Sequence, residues 1–238
     1  MGALAAIARF PVKGLGGETL ASATLLEGRG VEGDRVFGFA HAVSEAAPEG
    51  WARPREFATP RRAPELARVA VSLRAGGLLA ASHGMLGDIQ GEPDALADWL
   101  GPLAGPMAPL RLVRAGAGAI HDTPEGHVSV GSLASLRALS DLAGVAPDPR
   151  RFRMNLWLEG FAPWEERGWS GIVLDPVRLR VIAPVERCAA PDANPETGRR
   201  DADLCGALHA RFGHAEFGVY AQVETGGEIA PGAEAQAT

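Results

Sequence analysis

The chain has 238 residues, which is enough for one large or two small domains with a sizeable buried core. Its composition, 46% hydrophobic and 22% charged, is that of an ordinary soluble globular protein, and its net charge of −6 argues against a nucleic-acid-binding surface. The two cysteines, Cys188 and Cys205, are too few for a disulfide framework, so we expect a reducing, cytoplasmic location.

Short apolar segments bounded by Gly, Pro or Asp predict strands in the first third of the chain. These segments are residues 5–10, 23–26, 35–40 and 66–73. The apolar N-terminus is too short, and too soon followed by Pro11, to be read as a signal peptide or a membrane span. Residues 41–54 are predicted to form a loop, and residues 93–100 a helix with one apolar face. The prolines and glycines of residues 101–109 predict a boundary between two halves.

In the second half, the best predicted helix covers residues 132–142, because its leucines share one face and Gly144 follows it. Other segments predict a short helix at 204–212 and strands at 111–114, 152–158, 171–174, 177–183 and 217–224. The small, polar residues 233–238 predict a frayed tail. Many short strands without alternating helices indicate a mainly β fold with a few helices (α+β), of the barrel type, rather than a doubly wound sheet.

Cys188 stands at the end of an apolar run, directly after Arg187, and a turn of Asn194, Pro195 and Gly198 follows it. A guanidinium beside a thiol on a loop favours the thiolate, which suits a soft metal ion or covalent chemistry. The alternative is a buried cysteine that packs as a small apolar residue. We interpret Cys205 in that second way, because it lies in an apolar-periodic segment without a neighbouring cation.

Lys13 is the only lysine among 23 basic residues. A protein that otherwise uses arginine throughout would keep a lysine where a compact ammonium is needed rather than a planar guanidinium. The alternative is chance. Lys13 therefore becomes a candidate binding residue, to be weighed together with the motif around it.

Several motifs, taken together and in this order, carry a resemblance to a known family. They are Phe10-Pro11-Val12-Lys13-Gly14, Gly33-Asp34-Arg35, Glu186-Arg187-Cys188, Asn194-Pro195-Glu196-Thr197-Gly198, the strand from Phe217 and the Gly-Glu-Ile segment that ends at Gly232. The chain resembles the MOSC (molybdenum cofactor sulfurase C-terminal) domain family and is similar to the amidoxime reducing component and its bacterial relatives. The resemblance spans residues 7–232 and is weakest at 78–110. It implies a MOSC-type bulged β-barrel, residues 101–238, preceded by a smaller β-barrel-like domain, residues 1–100.

The resemblance implies a molybdenum-pterin cofactor, whose phosphate needs cationic and amide donors and whose metal needs a soft ligand. Cys188 matches the metal ligand of the family and is therefore the implied catalytic residue. Ser132 matches a serine that opens a helix beneath the cofactor, where free N–H groups suit an anion. The cofactor-binding positions implied by the resemblance are Lys13, Arg35, Arg61, Ser132, Arg153, Asn155 and Arg187.

Most of these residues also have a purely structural interpretation. Arg35 could pair with Asp34 at the surface, and Ser132 could simply cap its helix. Arg153 belongs to an arginine cluster that could be a solvated turn, and Asn155 could satisfy neighbouring backbone groups. Only their joint occurrence in the family's order favours the binding interpretation.

The histidines match no zinc-binding spacing: His121 and His127 flank a Pro-Gly turn and are predicted to be loop residues. His121 or Asp122 could line the cleft near the cofactor.

One departure from the family pattern is Glu186, which stands where many members carry a serine or a second cysteine and which adds negative charge near an anionic cofactor.

The resemblance implies a molybdenum-dependent oxidoreductase that reduces small N-hydroxylated or N-oxide compounds in a two-electron step. Electrons would come from a separate ferredoxin- or cytochrome-like protein, because the chain has no cysteines for an iron–sulfur cluster. No nucleic-acid or membrane partner is expected. The alternative is a carrier of molybdenum cofactor or of persulfide sulfur, which would use the same cysteine without turning over a substrate.

Overall fold

The computed structural model describes residues 1–116, 118–122 and 128–238. The loop predicted around His127 lies outside the described residues. The strands are β1 (Gly2–Arg9), β2 (Glu18–Leu20), β3 (Ala23–Leu26), β4 (Gly30–Val31), β5 (Phe37–Ala40), β6 (Ala70–Leu73), β7 (Leu79–His83), β8 (Gly87–Gly91), β9 (Arg111–Arg114), β10 (Val128–Ser132), β11 (Leu156–Glu159), β12 (Gly171–Leu174), β13 (Val177–Glu186), β14 (Glu216–Thr225), β15 (Gly227–Ile229) and β16 (Glu234–Ala237). The helices are α1 (Ala95–Ala104), α2 (Leu133–Ala143) and α3 (Leu204–Phe212).

The largest sheet closes into a barrel. Its strands run in the order β11-β10-β14-β13-β12-β16-β1, and β1 pairs again with β11. The barrel is mixed, because β10 and β11 are parallel whereas the other neighbours are antiparallel. Register shifts interrupt the β13–β14 and β1–β11 pairs, as bulges do where a strand must bend. The mainly β, bulged-barrel fold predicted from the sequence is confirmed.

The barrel interior is filled by the apolar residues that alternate along these strands. Leu4 and Ile7 of β1, Val130 of β10 and Leu156 of β11 are all fully buried in one cluster. β1 is therefore a strand of the barrel, although its residues lie in the first predicted domain. The predicted boundary at residue 100 stays a prediction.

The C-terminus corrects the sequence analysis, because the segment predicted to be a frayed tail forms β16. This strand pairs with both β1 and β12 and so completes the barrel. Ala235 is fully buried, while Glu234 and Gln236 on either side are exposed. The small residues of this segment show no hydrophobic periodicity in the sequence. A small side chain nevertheless fits at this position, because the barrel interior that it faces is already closely packed.

The region before residue 115 holds smaller sheets, β6-β7-β8 and β5-β9, with their own apolar cluster. The strand predicted at 66–73 is in fact a 3₁₀ helix, Pro64–Arg68, followed by β6. The helix predicted at 93–100 ends later than expected, because α1 continues through Pro102 to Ala104 and so enters the segment 101–109. Leu103 and Ala104 are buried, so packing outweighs the roughly 3 kcal/mol that an interior proline costs.

The other two helices agree with the sequence analysis. α2 spans Leu133–Ala143 and ends at Gly144 in the left-handed conformation, and α3 spans Leu204–Phe212. Both pack on a cluster beside the barrel that includes Trp157 and Phe217. The strands that the sequence analysis missed are β2, β4, β7, β8, β10, β15 and β16.

Candidate functional site

A cavity of about 610 Å³ lies where the loop after β1, the turn before β5, the strand ends of β10 and β13 and the middle of β14 meet. Among the described residues, eight cationic side chains and two carboxylates, from Asp122 and Glu186, line this cavity, which we call the cationic cavity. Such an excess is notable in a chain whose net charge is −6. The cations are Lys13, Arg35, Arg55, Arg61, Arg62, Arg151, Arg153 and Arg187.

Lys13 is held inside this cavity with its side chain only 4% exposed. Its ammonium donates to Asp122 Oδ1 at 2.7 Å and to the carbonyl oxygen of Ile120 at 3.1 Å. Burial lowers the pKa of Lys13, Asp122 partly restores it, and the nearby Arg35 and Arg153 lower it further. The Lys13 ammonium is therefore a buried cation with one carboxylate partner, Asp122, and two arginines close by.

Arg35 is fixed by a buried carboxylate and by an amide rather than by a surface pair. Its backbone adopts φ 50°, which directs the side chain inward, and its guanidinium pairs with Asp34. It also donates to Asn155 Oδ1 at 3.2 Å and to the carbonyl oxygen of Arg153 at 3.0 Å. Burial opposes its charge, but Asp34 outweighs burial and the pKa of Arg35 is raised. The surface-pair interpretation is therefore wrong.

Asn155 lies one layer behind the cavity and is almost fully buried. Its side-chain oxygen accepts from the hydroxyl of Ser129 at 2.8 Å as well as from Arg35, and its amide donates to the carbonyl oxygen of Ala8 at 3.2 Å. Asn155 therefore orients Arg35 and joins β1 to β10, so its effect on a ligand is indirect.

Arg153 follows a 3₁₀ helix, Pro149–Phe152, in the left-handed conformation with φ 53°. Its guanidinium lies over the ring of Phe10 at 4.7 Å and reaches the carbonyl oxygen of Val12 at 3.4 Å. Burial and the charge of Arg35 lower the pKa of Arg153. The cluster is therefore not a solvated turn, because this arginine points into the cavity.

Arg187 is placed differently from the sequence-based expectation. Its guanidinium donates to the carbonyl oxygens of Phe217 and Phe152 at 2.8 and 2.9 Å and to the sulfur of Met154 at 3.1 Å. Burial lowers its pKa to about 10. Arg187 thus ties β13 to β14 and positions the loop that carries Cys188, instead of donating a hydrogen bond to the thiol.

Cys188 is exposed and lines the cationic cavity, two residues beyond the end of β13. The turn that follows is built as the sequence predicted: Asn194 Oδ1 accepts from the N–H of Glu196 at 2.7 Å, and Gly198 has φ 67°. The left-handed backbone at Gly198 favours glycine, and a Cβ there would also displace the Glu65 side chain, whose Oε1 would lie 2.3 Å away. The loop therefore presents a free thiol to the cavity.

Cys205 is not the detached packing residue that the sequence suggested. It is half-buried at the start of α3, and its thiol donates to the carbonyl oxygen of Cys188 at 3.1 Å. Burial raises its pKa to about 11. The thiol of Cys205 thus supports the backbone of the Cys188 loop while remaining protonated.

Two residues that the sequence analysis barely considered, or missed, complete the cavity. Desolvation of the Asp122 carboxylate opposes its ionisation, but Lys13, Arg35 and Arg153 hold its pKa well below the ordinary range. The hydroxyl of Tyr220 on β14 donates to Asp122 Oδ2 at 3.4 Å, and burial raises the pKa of Tyr220 to about 12. The signal for Tyr220 was its rarity, since it is the only tyrosine in the chain.

The remaining predicted residues divide between the cavity and the interior. Arg61 is exposed and lines the cavity. Ser132 is fully buried, and its hydroxyl accepts from the N–H of Ser135 as the N-cap of α2. It does not line the cavity, so we do not carry it into the proposed site.

The fold and the cavity define a β-barrel protein with a cation-lined cavity and a free thiol on its wall. The MOSC domain profile matches residues 117–236, and the profile of the MOSC N-terminal beta barrel domain matches residues 1–100. The chain belongs to the MOSC domain family.

Sequence relatives connect the family to the molybdenum cofactor. The molybdenum cofactor sulfurases of Anopheles gambiae and Bos taurus are 35% and 34% identical to this chain over 71 residues. These matches cover 29% of this chain but only 9% and 8% of the two relatives, so the chain spans less than a tenth of their length. The relationship therefore concerns one region and not their whole activity.

Two solved structures are similar to this chain. The YuaD protein from Bacillus subtilis is 12% identical with a TM-score of 0.48, covering 98% of this chain and 93% of its own. YiiM from Geobacillus stearothermophilus is 19% identical with a TM-score of 0.35, covering 47% of this chain and 53% of its own. Within the described residues, no helix has both the length and the apolar character to cross a membrane.

Proposed function

We propose that the cationic cavity binds a molybdenum-pterin cofactor and that Cys188 provides a sulfur ligand to its metal. The protein would then be an oxidoreductase that reduces small N-hydroxylated or N-oxide compounds. In that reaction the N–O bond is cleaved, two electrons and two protons are taken up, and water leaves. A separate ferredoxin- or cytochrome-like protein would supply the electrons. The observation that carries the proposal is the coincidence of eight cations and one exposed thiol in a single cavity.

The residues present fit the chemistry of such a cofactor. A phosphate group prefers several charged donors, and Lys13, Arg35 and Arg153 lie together in the cavity. Burial lowers the pKa of Lys13, and the charges of the two nearby arginines add to that effect. Among the described residues, Asp34 pairs with Arg35, and the carboxylate of Asp122 lies 2.7 Å from Lys13. A thiolate is a soft ligand suited to a metal of this type. The bound cofactor would supply the two-electron redox chemistry.

The protein's own residues would hold and orient the reactants around that centre. Arg187 and Cys205 fix the Cys188 loop through backbone carbonyls, so the thiol keeps its direction. The hydroxyl of Tyr220 stays protonated, because its pKa is raised to about 12, and the Lys13 ammonium lies beside the same carboxylate. Both groups hydrogen-bond to Asp122, so they would hold its carboxylate in place at the cavity.

Metal content and turnover test this function together. Protein produced in a host that makes the cofactor should contain about one molybdenum per chain, as a single soft-ligand site implies. It should also reduce an amidoxime when an artificial electron donor is provided. The control is the same protein from a host that cannot make the cofactor, which should be folded, metal-free and inactive. A folded preparation from the competent host without molybdenum above background would contradict the proposal.

A second candidate function rests on the exposure of the Cys188 thiol. A carrier of persulfide sulfur, or of cofactor destined for another enzyme, needs an accessible thiol and no substrate turnover. The same experiment separates the two functions, because a carrier would contain cofactor or persulfide but would leave the amidoxime unchanged.

The lowered pKa of Lys13 predicts how anion binding responds to pH. The protonated form binds anions, so affinity for pyrophosphate should fall as the pH rises through a pKa below 10.5, the ordinary value for lysine. We expect a loss of about 10-fold, the value of one charge-assisted hydrogen bond. Titration calorimetry from pH 7 to 10 measures it. The variant Lys13→Met should bind weakly at pH 7 already and show no such fall; equal pH profiles for the two proteins would refute the assignment.

A further inference from the structure

The two cysteines of the chain, Cys188 and Cys205, lie on segments that the fold holds together. The loop after Cys188 turns back on itself, and the N–H of Asp201 donates to the carbonyl oxygen of Asp192 at 3.3 Å. The start of α3 is tied to the same loop, because the N–H of Leu204 donates to Oδ1 of Asp192 at 3.0 Å. These hydrogen bonds involve neither thiol, so they keep the two segments adjacent whatever the state of the cysteines.

The thiol of Cys205 lies against the backbone of Cys188. Its sulfur is 3.1 Å from the carbonyl oxygen of Cys188 and 3.6 Å from that of Arg187. A carbonyl oxygen is about 2.4 Å from its own Cα, so the Cys205 sulfur lies within about 5.5 Å of the Cα of Cys188. In a disulfide that separation is roughly 4 Å. Rotation of the Cys188 side chain, with a backbone displacement of about 1–2 Å, therefore brings the two sulfurs to bonding distance.

The two thiols differ in access, and this difference sets the order in which they react. Cys188 is exposed, lines the cationic cavity and lies between β13 and α3, outside regular secondary structure. Cys205 is half-buried in the first turn of α3, with its thiol donated to a carbonyl oxygen. An oxidant in solution thus reaches Cys188 first, and Cys205 is positioned to react second.

We propose that Cys188 and Cys205 form a reversible disulfide when hydrogen peroxide oxidises Cys188. The Cys188 sulfur attacks one peroxide oxygen. The O–O bond breaks, an S–O bond forms, and the other oxygen leaves as water with the thiol proton. The Cys205 sulfur then attacks the Cys188 sulfur. The S–S bond forms, the S–O bond breaks, and hydroxide leaves as water with the Cys205 proton. Two electrons pass from the two thiols to one peroxide.

The disulfide removes the free thiol from the wall of the cationic cavity. Under the function proposed above, it would withdraw the sulfur ligand from the metal until a cellular thiol reduces the bond. That consequence rests on the proposed function, whereas formation of the disulfide needs only the two thiols and their spacing. In a reducing compartment such a bond is transient, as redox-sensing disulfides are.

Mass spectrometry of the reduced, metal-free protein after treatment with hydrogen peroxide tests the bond. The intact mass should fall by that of two hydrogens, both thiols should stop reacting with iodoacetamide, and dithiothreitol should restore them. Proteolytic digestion should yield two peptides joined through Cys188 and Cys205. Oxygen gained at Cys188 with Cys205 left as a free thiol, or covalent dimers joined through Cys188, would overturn the proposal.

The two single variants test the order of reaction. Cys205→Ser removes the second thiol, so Cys188 should stop at the sulfenic acid, which dimedone traps, or be oxidised further. Cys188→Ser leaves the half-buried Cys205, which should react at least about 10-fold more slowly than Cys188 does. If Cys205 alone is oxidised as fast as Cys188 alone, Cys188 is not the primary target and the proposed sequence is wrong.

A matched control moves the second thiol while keeping two cysteines in the chain. The double variant Cys205→Ser, Ala210→Cys places it at an exposed position of α3, about 140° around the helix from Cys205. This variant should form the disulfide at least about 10-fold more slowly, since close placement raises the effective concentration of two reacting groups. Equal rates in the double variant and the unaltered protein would show that the folded arrangement of the two thiols has no part in the reaction, and would refute the proposal.

Discussion

Replacing Cys188 with serine is expected to lower turnover more than about 100-fold, since loss of a metal ligand should exceed the 10–100-fold effect of losing an outer-shell partner. The side chain is exposed, so the protein should remain folded with an unchanged melting temperature. A hydroxyl is a harder and less readily ionised ligand than a thiol, so the absorption spectrum of the bound cofactor should change. Cofactor content should fall only in part, because Lys13, Arg35 and Arg153 do not depend on the thiol. Metal analysis, absorption spectroscopy and amidoxime turnover measure these effects.

Cys205→Ser is the matched control. A serine hydroxyl can still donate to the carbonyl oxygen of Cys188, so activity and spectrum should be largely retained. In the metal-free protein, iodoacetamide should modify Cys188 well before Cys205, because Cys205 is half-buried and its pKa is raised to about 11. If the two serine variants behave alike, or if Cys188→Ser matches the unaltered protein, the proposed ligand is wrong.

Asp34→Ala is expected to lower the free energy of unfolding by about 3–5 kcal/mol, the cost of breaking a buried ion pair by removing one partner. Asp34 is 2% exposed, pairs with Arg35 and accepts from the N–H of Phe10 at 2.7 Å. Without it, Arg35 would remain as an uncompensated charge in an already positive cavity. Urea unfolding followed by circular dichroism measures the change.

Asp141→Ala, at an exposed position of α2, is the control and should stay within about 0.5 kcal/mol of the unaltered protein. The double variant Asp34→Asn, Arg35→Met should be less destabilised than the sum of its single variants, because neither charge is then left alone. If Asp34→Ala is no more harmful than Asp141→Ala, the buried pair does not stabilise the fold.

The sequence determined those features whose causes are local. The turn of Asn194 and Gly198 follows from an Asx hydrogen bond and a left-handed glycine, so the loop that presents Cys188 could be predicted. The same holds for α2, whose leucine spacing and closing Gly144 lie within one segment. The roles of Lys13 and Arg35 came from family motifs rather than from periodicity, and they remain predictions although both residues line the cationic cavity.

The tertiary structure decided what depends on pairing between distant residues. Asp122 and Tyr220 meet across the cavity only because the barrel brings β14 beside the segment before β10. Arg187 is next to Cys188 in the chain, yet its guanidinium donates hydrogen bonds to the carbonyl oxygens of Phe152 and Phe217, because those buried carbonyl groups need partners. The strand β16, with its buried Ala235, completes the barrel, although its small residues show no hydrophobic periodicity in the sequence. Local chemistry can be read along the chain, whereas the pairing of buried charges and carbonyls is fixed only when the strands are assembled.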